Sequence, residues 1–211
     1  NNYVLACIDG ASLTTAVCDY AAWMSQRAGA PLKLLHNIEH RPQAAVADLS
    51  GSIGLGSQEE LLEELTRVEQ QRNRLLMQKG KLMLEAATQR VEQAGVTNVE
   101  AWQQHGSLQE SLVELETDIR VLVMGVRGEE HREGQLGAHL ETVIRALHKP
   151  VLVVNAAFAV PKKIMLAYDG QDASRKALDM VASSPVFKDI PCHLVYVGDE
   201  STASSVLNEA A

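Results

Sequence analysis

Residues 120–155 read RVLVMGVRGEEHREGQLGAHLETVIRALHKPVLVVN. Val121–Met124 is an unbroken apolar run, and so is Val151–Val154 after Pro150. Such runs suit parallel strands covered on both faces by helices. Between them stand Gly125, Gly128, Gly134 and Gly137, the last at the point where a helix begins. Backbone N–H groups at a helix start carry partial positive charge, and glycine lets a ligand approach the main chain. Glycine-rich turns after strands also arise for steric reasons alone. The spacing by itself therefore marks a candidate anion or nucleotide crevice and no more.

The alternation extends outward from this segment. Tyr3–Ile8 is a strand ended by Asp9 and Gly10, followed by a helix from Ser12 or Thr14 to Gly29 and a strand at Leu32–Ile38. The small residues, glycines and proline from His40 to Gly56 predict a mobile surface loop. Ser57 to Glu60 matches a capping box that opens the longest helix. Leu61, Leu65, Val68, Leu75, Leu82 and Ala86 form one apolar stripe on it, with a charged, solvated remainder. A coiled-coil surface is the alternative, set against the weakening of the pattern at Asn73 and Gly80. Val99–Gln103 is the third strand. A second capping-box match at Ser107–Glu110 opens a helix ending at Asp118, with Leu108, Leu112, Val113 and Leu115 inward. This order predicts an α/β domain around a mostly parallel, doubly wound sheet. The ligand site of such a sheet lies at the carboxyl ends of its strands, where the winding reverses. Asp9 and Gly125 both occupy such ends.

An internal repeat is the second strong feature. Residues 4–39 align without a gap onto residues 164–199 at a constant offset of 160. Asp9 falls on Asp169, Gly10 on Gly170, Asp19 on Asp179, Pro31 on Pro191 and Leu34 on Leu194. A coherent strand–helix–strand match implies duplication. The expected domains are 1–155, a linker at 156–163 and a partial second copy at 164–211. That copy stops inside a helix predicted over Ser205–Ala211, so the expectation is a fragment of a longer chain, the alternative being completion by another copy. Two strands and their helices leave apolar faces uncovered.

Composition limits the functions open to the chain. Its 211 residues are 46% hydrophobic, 22% charged and 4% aromatic, so aliphatic side chains must fill the core. A net charge of −8 argues against a nucleic-acid partner, which needs a basic footprint. No apolar segment approaches the roughly 20 residues of a membrane span. With no basic-then-apolar leader and only Cys7, Cys18 and Cys192, a reducing cytoplasm is expected. The histidines, among them His36, His40, His105, His131, His148 and His193, show no ligand spacing, so no metal is expected. No P-loop, nucleophile elbow or His-Glu-x-x-His motif is present, and dedicated catalysis is not expected.

With VLACIDG ending near Asp9, LKLLHNI, VLVMGVRG, LGAHLETVIRALHKPVLVV and the second-half IMLAYDG in view, the chain resembles the universal stress protein family in its tandem form. The resemblance implies a stress-response protein with a Rossmann-like five-stranded parallel sheet, duplicated here with the second copy partial. It implies an adenine nucleotide, ATP with Mg, as a regulatory ligand in those members that bind one. Carried onto this chain, the site residues are Asp9, Gly10, Ile38, Met124, Gly125, Gly128, Gly137, Ala138 and His139. The family signature in binders places nine residues between the last two glycines and a Ser or Thr after the third. Here eight residues, Glu129–Leu136, separate Gly128 from Gly137, and Ala138 replaces the hydroxyl residue. Those departures favour the alternative, a stress protein that binds no nucleotide and acts as a dimeric interaction module. The resemblance also implies pairing through the edge of the last strand, Val151–Val154, either in a homodimer or between the two domains of one chain.

Overall fold

The computed structural model describes residues 2–39, 55–126 and 138–210, with the side chains of 55–59, 138 and 139 left out. The chain divides into two compact units, Asn1–Ser25 with Ala30–Ala157 and Gln26–Gly29 with Phe158–Ala211. The first holds β1 (Tyr3–Cys7), α1 (Thr14–Ala28, whose last residues fall in the other unit), β2 (Leu32–Ile38), α2 (Leu55–Gln93), β3 (Val99–His105), α3 (Leu108–Leu115), β4 (Ile119–Gly125), α4 (Ala138–Ala146) and β5 (Val151–Val154). The five strands form one sheet in the order β3-β2-β1-β4-β5, and every pairing is parallel.

This order follows from the sequence pattern. Val4, Leu5 and Ala6 of β1 and Leu122 and Val123 of β4 are wholly buried, as central strands covered on both faces require. On one face, Tyr3, Leu5, Leu35, Leu122 and Met124 pack with Leu112 of α3, Leu140 and Val143 of α4, and Leu147 just after it. Along β2 and β3, alternate residues point the other way, and α2 packs over both strands. At the amino end of the sheet, the Lys33 ammonium lies 3.7 Å from the Trp102 ring centre and 4.2 Å from that of Tyr3. Glu100 reaches the same ammonium at 3.3 Å, so a cation–π and ion-pair cluster ties β3 to β2 and β1.

Several local expectations change. The longest helix starts at Leu55, so Ser57 lies inside it rather than at its cap. Ser107 is the N-cap of α3, yet its side chain makes no capping hydrogen bond. Val113 is 48% exposed, because its position on α3 turns away from the face that carries Leu112 to the sheet. β3 runs two residues past Gln103, to His105. The largest change concerns α2. Its sheet-facing side is Gly80, Leu84, Ala87 and Val91, while Val68, Leu75 and Leu82 are 53%, 60% and 59% exposed. Leu82 and Leu84 are two positions apart, about 200° around an α-helix, so the predicted stripe lies opposite the packed face. The segment 40–54, read from sequence as part of a loop, lies outside the described residues.

Gly80 is the point of closest approach between α2 and the sheet. A Cβ there would run into the His36 ring and the Gln103 amide. His36 is held through its Nδ1 to the Ile8 carbonyl at 2.7 Å, and Gln103 donates to the Met77 carbonyl at 3.2 Å. Neither side chain moves aside without losing that bond.

The second unit contains β6 (Ile164–Ala167), α5 (Asp172–Ser183), β7 (Cys192–Val195) and α6 (Glu200–Ala210). Here α6 starts five residues before the predicted Ser205. The β6–β7 register pairs Ile164 with Cys192 and Ala167 with Val195, as β1–β2 pairs Val4 with Leu32 and Cys7 with Leu35, each shifted by 160. No residue of α5 or α6 is buried, in keeping with a two-stranded sheet that covers little.

Replacing Gly80 tests the helix–sheet contact. Gly80→Leu is expected to lower the unfolding free energy by about 1–3 kcal/mol through overpacking, outweighing a gain of up to about 1 kcal/mol in helix propensity. Urea denaturation followed by circular dichroism measures it, and an unchanged midpoint contradicts the packing described.

Candidate functional site

Strand order reverses between β1 and β4: from β1 the chain winds toward β2 and β3, and from β4 toward β5. The crevice of such a sheet opens at this boundary, beyond the carboxyl ends of the two strands. The residues that follow β1 and end β4 therefore form its walls.

After β1, Asp9 Oδ1 accepts hydrogen bonds from the Ala11 amide at 3.0 Å and the Thr14 hydroxyl at 2.9 Å. Thr14 is the first residue of α1, so the carboxylate fastens the turn to the helix start and lies near the positive end of its dipole. Both bonds end on Oδ1, and neither uses Oδ2. Gly10 follows with φ +78°, a left-handed conformation that glycine adopts without cost. A Cβ at Gly10 would collide with the Met83 sulfur, so α2 descends onto this turn. His36 braces the preceding carbonyl, that of Ile8.

On the other side, Gly125 ends β4, and the Val126 amide donates to the Val154 carbonyl at 2.8 Å. Met124 is buried in the cluster under α4. Ile38, at the end of β2, is buried, and its carbonyl accepts from the Gly106 amide at 3.1 Å. α4 begins at Ala138, one residue after Gly137. The fold thus brings Asp9, Gly10, Met124 and Gly125 to the ends of two paired strands, with Ile38 on the next strand. Gly128 and Gly137 lie outside the described residues, as do the side chains of Ala138 and His139. Among the described residues, no group of three or more His, Cys, Asp or Glu side chains is placed to hold a metal ion. No helix among them is long and apolar enough to cross a membrane.

Three contributors escaped the reading from sequence. Thr14 entered it only as a helix start, His36 only as a histidine without metal spacing, and Met83 not at all. Gly80 was the available signal, since a glycine inside a long helix costs about 1 kcal/mol and marks close packing.

The second unit repeats the turn. Asp169 Oδ1 accepts from the Gln171 amide at 2.9 Å and the Ser174 hydroxyl at 2.6 Å, and Gly170 has φ +76°. These bonds hold the fully exposed Asp169 carboxyl below its ordinary range, the Ser174 hydroxyl contributing most.

The fold defines an α/β protein built on a five-stranded parallel sheet, with the candidate site at its switch point. The sequence model of the universal stress protein family matches residues 2–155, and the chain belongs to that family. It is 39% identical over 199 residues to universal stress protein Slr1230 of Synechocystis sp., covering 92% of this chain and 69% of that protein. Among solved structures, a universal stress protein from Archaeoglobus fulgidus matches 99% of this chain and 71% of its own at 18% identity and a TM-score of 0.68. Hypothetical protein MJ0577 matches 75% of this chain and 98% of its own at 20% identity and a TM-score of 0.55.

The cysteines near the site are held as thiols. Burial, with a smaller contribution from the Asp9 charge, pushes Cys7 up to about 12 from 9.0. Burial and then Asp19 push Cys18 up to about 11. Because the fold keeps both protons past the ordinary thiol value, this stability is complete below pH 9 and is lost as pH rises toward 12. Native protein at pH 8 is expected to react rapidly with a disulfide reagent at the exposed Cys192 alone. Fast labelling of Cys7 or Cys18, read by mass spectrometry, contradicts the burial described.

Proposed function

We propose that this member of the universal stress protein family binds an adenine nucleotide, ATP with Mg, in the β1–β4 crevice, as a regulatory ligand rather than a substrate to be turned over. The observation that carries the reading is the placement of the Asp9 carboxylate and Gly125 at the ends of adjacent parallel strands, at the point where strand order reverses. Ala11 and Thr14 both bond Asp9 through Oδ1, and in this reading Oδ2 accepts from a ribose or base donor. Gly10 leaves room for the Met83 side chain over the turn, and Gly125 ends β4 without a side chain of its own. Phosphates fall to the start of α4 at Ala138, where helix-end main-chain N–H groups supply positive potential. The repeated Asp169 turn supports reading residues 164–210 as the beginning of a second copy of the domain. A cytoplasmic location, and pairing through the β5 edge, belong to the same proposal.

Ala138 and the eight-residue interval before Gly137 favour a second reading, an interaction protein that keeps the fold without the nucleotide. The two separate in one titration. Fluorescent ATP analogue with magnesium is expected to saturate the full chain below millimolar concentration, and Asp9→Ala to weaken it at least tenfold. Ala138→Ser is expected to tighten binding by about 10-fold or more, since a hydrogen bond to a charged phosphate contributes about 1.5–3 kcal/mol. No saturable binding up to millimolar ATP leaves the interaction reading in its place.

A further inference from the structure

The β1–β2 ladder stops just short of the site. Its last pair is Cys7 with Leu35, and the Ile8 amide still donates to the Leu35 carbonyl at 2.8 Å. Had the ladder gone on, an amide of β2 would donate next to the Ile8 carbonyl, because the bonds of a parallel ladder are evenly spaced along it. At that point the chain leaves the sheet for the Asp9–Gly10 turn. The acceptor is met instead by a side chain, the Nδ1 of His36 at 2.7 Å. A carbonyl can only accept, so Nδ1 carries the proton and, in the neutral ring, Nε2 carries none.

This bond acts on the peptide group that leads into Asp9. The Ile8 carbonyl and the Asp9 amide belong to one planar unit, so holding the oxygen fixes the plane from which the Asp9 residue departs. At its far end the Asp9 side chain is held on Oδ1 by Ala11 and Thr14. The ring is fixed in its turn. Gly80 of α2 lies against it with no room for a Cβ, and Gln103, the register partner of His36 on β3, donates to the Met77 carbonyl of α2 at 3.2 Å. We propose that His36 is the positioning residue of the crevice. Through the Ile8 carbonyl it holds Asp9 in the place from which the carboxylate meets the ligand, and it rests on the nucleotide reading only for the identity of that ligand.

The second unit supplies a comparison within the chain. Tyr168 stands at the place of Ile8, and its amide donates to the Val195 carbonyl at 2.9 Å, the same rung shifted by 160. The residue at the place of His36 is Tyr196, whose phenol has no ring nitrogen and lies beside Gly198. The Asp169 turn closes there all the same, on Gln171 and Ser174. The bonds from the aspartate to the helix start therefore do not require the histidine. What the histidine adds is a fixed peptide ahead of the carboxylate, in the unit that carries the five-stranded sheet and its switch point. A binding site gains affinity from groups held in place before the ligand arrives.

Substitutions in the full chain test the role. Asparagine puts an amide nitrogen the same number of bonds from the backbone as Nδ1, glutamine puts it one bond further, and leucine has no donor. With fluorescent ATP analogue and magnesium, His36→Leu and His36→Gln are expected to bind about five- to tenfold more weakly than the natural chain, and His36→Asn within about twofold of it, as one net hydrogen bond allows. Circular dichroism, and amide exchange near Lys33 and Trp102 at the other end of the sheet, are expected to stay unchanged. Equal affinity in all four chains overturns the proposal, and so does His36→Asn as weak as His36→Leu. No saturable binding by the natural chain removes the nucleotide reading, and the positioning role is then decided without ligand. Nitrogen-15 imidazole shifts of the natural chain are expected to show His36 protonated on Nδ1, a test that stands even where a substitution unfolds the chain. Exchange at amides 9–11 is expected to be several-fold faster in His36→Leu and His36→Gln. A ring protonated on Nε2 alone, or exchange at these amides that no substitution changes, overturns the proposal.

Discussion

The parallel pairing of β1 with β4 is the constraint on which the rest of this molecule depends. The two strands are distant in sequence and adjacent in space, in register from Val4 opposite Val121 to Ala6 opposite Val123. Each is buried on both faces, which places α1 and α2 against one side and α3 and α4 against the other. Because the chain leaves β1 in one direction and β4 in the other, no crossover connection covers the boundary between them. The crevice is a consequence of that winding. Asp9 and Gly125 are functional candidates because the pairing sets them side by side.

Local chemistry then shapes the opening. The Asp9 carboxylate fastens the turn after β1 to the start of α1, with both of these bonds on Oδ1. Gly10 accepts a backbone conformation costly to other residues and admits Met83 close above it. Gly80 lets α2 settle against His36, which in turn holds the Ile8 carbonyl just before Asp9. A continuous set of contacts therefore joins the long helix to the site turn. The outward stripe of α2 begins on that same helix, on its far side.

Much of this was legible in the amino-acid order. The strands at Leu32–Ile38 and Val151–Val154 stand where apolar runs placed them, since a buried parallel strand leaves an unbroken signature. The repeat at offset 160 reappears as matching strand registers and matching aspartate turns, because the same residue types make the same short-range bonds. Periodicity was less informative for α2. It locates an apolar face without saying whether the face meets the sheet, and small residues, Gly80 and Ala87, carry much of the true contact. Ser107 shows a similar limit: the motif placed the helix start, while the side-chain bond depends on a rotamer that the motif does not specify. Met83 and His36 were illegible because their roles come from tertiary proximity to Gly10 and Ile8.

Hydrogen–deuterium exchange of the full chain, with and without ATP and magnesium, addresses the β1–β4 crevice most directly. Protection is expected at amides 9–12, 124–126 and the first turn of α4, with the amino end of the sheet near Lys33 and Trp102 unaffected. ATP-dependent protection confined to other segments, with none at these amides, would contradict the placement of the ligand between β1 and β4.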